Sequence, residues 1–268
     1  MNRIERCLQS LRKSDRKALV SYIVNGDPRP EVTQAVLQSL VDKGVDIIEL
    51  GIPFSDPMAE GPVIQLGHER ALEHDISLND TIETVADFRQ YNQHTPLVLM
   101  GYANPIERMG YATFADKSVA AGVDGVIIVD LPPDEAAQLN TELKRVGINI
   151  IFLLAPNTTS TRIKEIVSIA SGFIYYVALK GVTGAGHLDT DAVRQKLTEI
   201  RQHTNLPICV GFGIKDAMAA QAVTKYADGA VVGSVLVSEM GMLASNSPEV
   251  IATAVGDIVQ SIRHALDQ

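Results

Sequence analysis

The chain has 268 residues, enough for one large α/β domain or two small ones and for a substantial buried core. Its net charge of −9 argues against a nucleic-acid partner, which calls for basic stripes, but leaves room for a phosphorylated small molecule held by backbone N–H groups. Apolar residues make up 46% and charged residues 21%, as in ordinary globular proteins, and no apolar run is long enough to cross a bilayer.

In chain order, Ile4, Cys7, Leu8 and Leu11 recur at helical spacing over Arg3 to Lys13. Ala18 to Val24 reads as the first strand, closed by the turn signal Asn25-Gly26-Asp27-Pro28. A helix over Glu31 to Lys43 ends at Gly44, and Asp46 to Gly51 is the second strand. Helices over Val63 to Glu73 and Leu78 to Gln93 lead to a third strand, Pro96 to Tyr102. A helix near Phe114 to Ala121 precedes strand four, Gly125 to Asp130; a helix over Pro133 to Val146 precedes strand five, Ile148 to Ala155. Ser160 to Ala170 is helix and Phe173 to Leu179 strand six; Asp191 to His203 is helix and Pro207 to Gly213 strand seven. Lys215 to Tyr226 is helix, Ala230 to Gly233 strand eight, and Pro248 to Ala265 a closing helix.

Eight apolar strands, each followed by a helix, indicate parallel strands buried on both faces. The expected fold is α/β, a single-domain (β/α)8 TIM barrel over 1–268 with an extra N-terminal helix; a doubly wound open sheet is the alternative. Asp46, Asp124 and Asp228 stand at the entrances of their strands, at the bottom of such a barrel, and read as structural.

In a barrel, chemistry belongs at the C-terminal strand ends. Polar residues there are Tyr22, Glu49, Tyr102, Asn104, Asp130 and Tyr175, joined from loops by Glu60 and Thr183. Glu49 interrupts an apolar strand, where a carboxylate is costly unless paired or neutralised. Glycines cluster at 181–186, at Gly211 and Gly213, and at Gly233, beside a helix start near Ser234, which suits close backbone approach to an anion. The cluster around Gly184 also suits a lid. Cys7 and Cys209 read as free thiols, the six histidines lack metal-ligand spacing, and the N-terminus lacks a signal-peptide core, so no metal and a cytoplasmic location are expected. Carboxylates with neither metal nor nucleophile suit acid–base chemistry on a phosphorylated, partly apolar substrate. Lys180 leaves an imine mechanism open.

The run Glu-Leu-Gly-Ile-Pro-Phe-Ser-Asp-Pro-Met-Ala-Glu-Gly-Pro at 49–62 resembles the signature of the tryptophan synthase alpha chain family, and the likeness continues along nearly the whole sequence. That resemblance implies a lyase that cleaves indole-3-glycerol phosphate to indole and glyceraldehyde 3-phosphate in tryptophan biosynthesis. By the same likeness Glu49 matches the acid/base, Glu60 the second carboxylate that accepts the indole N–H, and Tyr175 the residue flanking the pair. Tyr22, Thr183, Gly184, Gly211, Phe212, Gly213, Gly233 and Ser234 are the expected substrate and phosphate contacts. The family also implies a beta-chain partner in an α2β2 assembly, with Asp56, Pro57, Asn104 and Pro132 in loops matching the contact surface. Pyridoxal phosphate is expected in that partner and no cofactor in this chain. The sequence departs from the family pattern at Glu60, usually Asp, at Val24-Asn25, and at Ala178-Leu179-Lys180. These departures bear on rate, lid and coupling. The alternatives are another phosphate-binding barrel, either an isomerase or an imine aldolase, and a weakly active subunit that serves mainly to activate its partner.

Overall fold

The computed structural model describes residues 1–178, 190–211 and 213–268. Helix α1 (Arg3–Lys13) starts with a capping box in which Asn2 and Glu5 satisfy each other's backbone N–H groups. Among the described residues nine strands follow: β1 (Ala18–Val24), β2 (Ile47–Gly51), β3 (Leu97–Gly101), β4 (Gly125–Ile128), β5 (Asn149–Ile150), β6 (Phe152–Leu154), β7 (Ile174–Val177), β8 (Ile208–Gly211) and β9 (Gly229–Val232). All pairings are parallel, in the order β5-β4-β3-β2-β1-β9-β8-β7-β6. β5 and β6 are consecutive pieces of one extended segment on either side of Ile151, so the two ends of the sheet meet there and the strands form a barrel. The predicted fifth strand is thus present but split: its first half pairs with β4 and its second with β7.

The outer helices are α2 (Pro30–Asp42), α3 (Pro62–Leu72), α4 (Leu78–Tyr91), α5 (Ala103–Met109), α6 (Tyr111–Ala121), α7 (Ala137–Val146), α8 (Ser160–Ile169), α9 (Thr190–Arg201), α10 (Ala217–Thr224), α11 (Ser234–Met242) and α12 (Pro248–Leu266). Sequence periodicity misses α5 because it is seven residues long and has only Ile106 buried. It places α7 four residues early, since Pro132 and Pro133 begin a turn rather than the helix. For α11 it marks only the start.

Side-chain alternation divides the core in two. Leu19, Ile23, Ile48 and Leu50 point outward against the helices. Ala18, Val20, Ile47, Val98, Ile127, Ile151, Phe173, Cys209 and Val231 fill the lumen. Helix α1 closes the bottom of this lumen with Ile4, Leu8 and Leu11. Gly125 makes room for it: a Cβ there would stand 2.9 Å from the Ile4 side chain.

The three strand-entrance aspartates share one structural task, as expected for the bottom face. Asp46 accepts from Leu19 N–H at 2.8 Å, Asp124 from Leu97 N–H at 2.9 Å, and Asp228 from Ile208 N–H at 2.8 Å. Each carboxylate thereby ties its own strand to a neighbouring one, and each is held by arginine: Arg263 at 2.9 Å, Arg89 at 2.8 Å with Arg3 at 3.0 Å, and Arg201 at 2.8 Å.

Candidate active site

Because the strands are parallel, their C-terminal ends open on one mouth, and the lumen positions two residues beyond the apolar layer define its floor. Counting on from Val20, Ile47, Val98, Ile127, Ile151, Phe173, Cys209 and Val231 gives Tyr22, Glu49, Met100, Val129, Leu153, Tyr175, Gly211 and Gly233. One layer therefore brings together a carboxylate, two phenols, three apolar walls and two glycines. Tyr22 is the register partner of Glu49, with Val98 on the other flank.

Glu49 is 1% exposed, and neither of its carboxylate oxygens has a hydrogen-bond partner. Among the described residues no arginine or lysine forms an ion pair with it. Burial, reinforced by the nearby charge of Glu60, pushes its pKa up to about 8. A carboxyl group in this setting is largely protonated at neutral pH, which is how the chain tolerates it in an apolar strand.

Glu60 reaches the same cavity from the loop between β2 and α3, its side chain only 4% exposed. Burial raises its pKa to about 7, opposed by the hydrogen bond that the Tyr102 hydroxyl donates to its Oε2. Ala59 N–H donates to the same hydroxyl at 3.0 Å, and the Tyr102 ring stacks on Phe54 with centroids 4.8 Å apart. Asp130 adds a further upward push on Glu60 while accepting from Ala103 N–H at 2.8 Å at the start of α5. The two carboxyl groups thus differ: Glu49 has no hydrogen-bond donor, and Glu60 has a phenol.

The expected glycine Gly211, and Gly51 on β2, have a packing role. A Cβ on Gly211 would collide with the Tyr175 hydroxyl, and one on Gly51 would collide with that of Tyr22. Gly233 lies against the Tyr22 ring, where a Cβ would stand 3.1 Å from Tyr22 Cβ. Gly233 is also the N-cap of α11, and no side chain caps that helix, which begins at Ser234. Gly213 has φ +80°, a conformation open to glycine. Thr183, Gly184 and Phe212, together with Lys180 and the lid expected around Gly184, lie outside the described residues.

Asp56 is exposed, and Pro57 and Pro132 are half-buried, in the loops after β2 and β4. Asn104 is exposed too, but it lies on α5 rather than in a loop. Beside Asp56, Met58 is 77% exposed.

Sequence reasoning overlooked His68. It is 1% exposed on α3, with Nε2 3.4 Å from the Tyr22 hydroxyl and 3.9 Å from Glu60 Oε1. A signal was available: Ile64, Gly67, His68 and Ala71 follow the helical i, i+3, i+4, i+7 spacing of a buried face. Among the described residues, no group of three His, Cys, Asp or Glu side chains is arranged to hold a metal ion. No helix there is long and apolar enough to cross a membrane.

The family model for the tryptophan synthase alpha chain matches residues 8–266. This chain belongs to the tryptophan synthase alpha chain family. The tryptophan synthase alpha chain of Methylococcus capsulatus is 49% identical over 267 residues, covering 100% of both chains. That of Nitrosococcus oceani is 51% identical over 267 residues, covering 100% of this chain and 98% of the relative. Among solved structures, tryptophan synthase subunit alpha from Legionella pneumophila superposes with a TM-score of 0.91 at 42% identity, covering 100% of this chain and 99% of the other. A chain of Mycobacterium tuberculosis tryptophan synthase in its aminoacrylate-bound form gives 0.87 at 30% identity, covering 99% and 100%. The TIM barrel and the alpha-subunit role in tryptophan biosynthesis follow from this membership.

Proposed function

We propose that the cavity between Glu49 and Glu60 is where this chain, as a tryptophan synthase alpha chain, cleaves indole-3-glycerol phosphate to indole and glyceraldehyde 3-phosphate. The observation that carries the assignment is Glu49: a lumen carboxyl group with no partner and a pKa raised to about 8. Such a group enters the reaction protonated and is basic enough to take a proton back near neutral pH.

Protonated Glu49 gives its proton to the ring carbon that bears the glycerol chain. The ring becomes cationic, and Glu60, ionised above about pH 7, accepts the ring N–H and offsets that charge. The Glu49 carboxylate then takes the proton of the adjacent glycerol hydroxyl as the carbon–carbon bond breaks. Its electron pair returns to the ring, releasing indole and the aldehyde and restoring protonated Glu49. Met100, Val129 and Leu153 supply an apolar wall for the indole, and the Tyr175 ring flanks the carboxylates. The phosphate fits the uncapped start of α11 at Gly233 and Ser234, where backbone N–H groups and the helix dipole favour an anion, with Gly213 alongside.

The partner in this reading is a tryptophan synthase beta chain, which holds pyridoxal phosphate and takes up the indole. Exposed Asp56 and Asn104, with Pro57 and Pro132, flank the same mouth and are the proposed contact surface. A cytoplasmic location belongs to the same reading. The test is incubation with indole-3-glycerol phosphate while free indole is measured, with Glu49→Gln alongside. Indole release by the native chain and none by a folded Glu49→Gln variant supports the site; equal release by both removes it. Adding a beta chain then tests the assembly by binding and by stimulation of indole release.

A further inference from the structure

His68 makes three contacts, and together they fix its protonation. Phe54 N–H donates to Nδ1 at 3.1 Å, so Nδ1 carries a lone pair. A neutral ring then carries its only proton on Nε2. Nε2 faces two oxygens, the Tyr22 hydroxyl at 3.4 Å and Glu60 Oε1 at 3.9 Å. The first distance is at the outer edge of hydrogen-bond range and the second is a close approach just beyond it. The ring is 1% exposed, and burial drives its pKa down to about 4, which keeps it neutral.

We propose that His68 is a positioning residue for Glu60: held as the Nε2–H tautomer by the Phe54 backbone, it directs its proton at Oε1 and Tyr22. The two oxygens of Glu60 thereby face different donors, Tyr102 hydrogen-bonded at Oε2 and His68 approaching Oε1 to 3.9 Å. Phe54 closes the arrangement, because its N–H sets the histidine tautomer while its ring stacks on Tyr102, the other donor. One loop residue therefore organises both donors to the carboxylate. Tyr22 is also the strand neighbour of Glu49. Its hydroxyl accepts from His68, which leaves its own proton for the cavity, and burial, followed by the charges of Glu60 and Glu49, raises its pKa.

The titratable groups around Glu60 are Glu49 from β2, Tyr22 from β1, Tyr102 from the end of β3, Asp130 from the loop after β4, Tyr175 from β7 and His68 from α3. Burial and the charge of Asp130 oppose ionisation of Glu60, the Tyr102 hydrogen bond favours it, and His68 is the second side-chain donor facing the carboxylate among the described residues. This inference rests on the lyase reading above.

Two substitutions separate positioning from packing. Asn at 68 presents an acceptor near Nδ1 and lacks the donor reaching Tyr22 and Glu60. Gln at 68 extends an amide donor toward the Nε2 position. With indole-3-glycerol phosphate, His68→Asn is expected to lose roughly tenfold in kcat, the scale of one hydrogen bond to a charged group, with its acid limb moved to higher pH. His68→Gln is expected to recover most of kcat and the native pH profile. Native activity and pH profile in folded His68→Asn overturn the proposal, as do equal losses in both variants with an unmoved acid limb. Nitrogen NMR of the native protein gives a readout independent of any variant. The buried ring, recognised because it stays neutral well below the usual histidine pKa, must show a bare Nδ1 and a protonated Nε2; the opposite tautomer overturns the proposal. Absence of indole release by the native chain fails the lyase reading instead, and leaves the NMR result to decide the tautomer.

Discussion

Gly211 lies beneath the phenol of Tyr175, so close that a Cβ on the glycine would overlap the hydroxyl oxygen. The two are neighbours on adjacent parallel strands: Tyr175 is the register partner of Cys209, and the next lumen position on β8 is Gly211. The tyrosine occupies the volume that the missing side chain leaves. A glycine expected among the substrate and phosphate contacts thus also makes room for a protein ring, and the proposed phosphate seat rests on Gly213, Gly233 and Ser234.

Gly211→Ala should therefore act on Tyr175. Overpacking of this kind costs about 1–3 kcal/mol. The expected result is a lower melting temperature together with a fall in kcat, because the displaced ring flanks Glu49. Denaturant titration and indole release measure the two effects.

Glu49→Gln should lose at least about a hundredfold in kcat, the usual worth of a general acid–base group. Its effect on stability has the opposite sign. The folded pKa of Glu49, about 8, stands above the unfolded value of 4.5, so the folded state retains a proton that the unfolded state releases. Native stability is highest below pH 4.5 on this account and falls as pH rises toward 8. The amide has no such dependence. Its advantage in unfolding free energy should grow across that window to roughly a few kcal/mol and then level off. A stability difference that does not change with pH contradicts the assignment.

The dependence of kcat/KM on pH should be bell-shaped and narrow. The proposed mechanism needs Glu60 ionised and Glu49 protonated. With values of about 7 and about 8, both conditions hold only between them. The two limbs belong to the coupled pair rather than to either residue alone. A plateau wider than two pH units would show that the carboxyl groups do not titrate together.

Tyr102→Phe removes the phenol that favours ionised Glu60. The pKa of Glu60 should rise, moving the acid limb upward and lowering kcat roughly tenfold, the scale of a hydrogen bond to a charged group. The Phe54 stack is retained, so the melting temperature should change little. A profile whose acid limb stays in place argues against this role.

At the opposite end of the barrel the expectation is reversed. Asp124→Ala leaves buried Arg89 without its carboxylate and Leu97 N–H without its acceptor. A loss of about 3–5 kcal/mol in stability should follow, with kcat of the folded fraction unchanged. Equilibrium unfolding and active-site titration separate the two.

Much of this protein was decided by local pattern. Apolar runs broken by glycine and proline marked eight strands, and a helix after each pointed to a parallel barrel, because crossover helices cover both faces of such a sheet. The carboxylate at Glu49 announced itself as the one charge inside an apolar strand, and the 49–62 run pointed to the family. What pattern could not supply was contact across the chain. Ile151 splits a strand because its two halves face different neighbours. Gly211 serves Tyr175, and His68 on α3 meets Tyr22 on β1 and Glu60 in the loop between β2 and α3, through atoms brought together by closure of the barrel. Periodicity records which face of an element is buried. Which side chains then share a hydrogen bond, a proton or a volume depends on distances between elements, and those exist only once the barrel has formed.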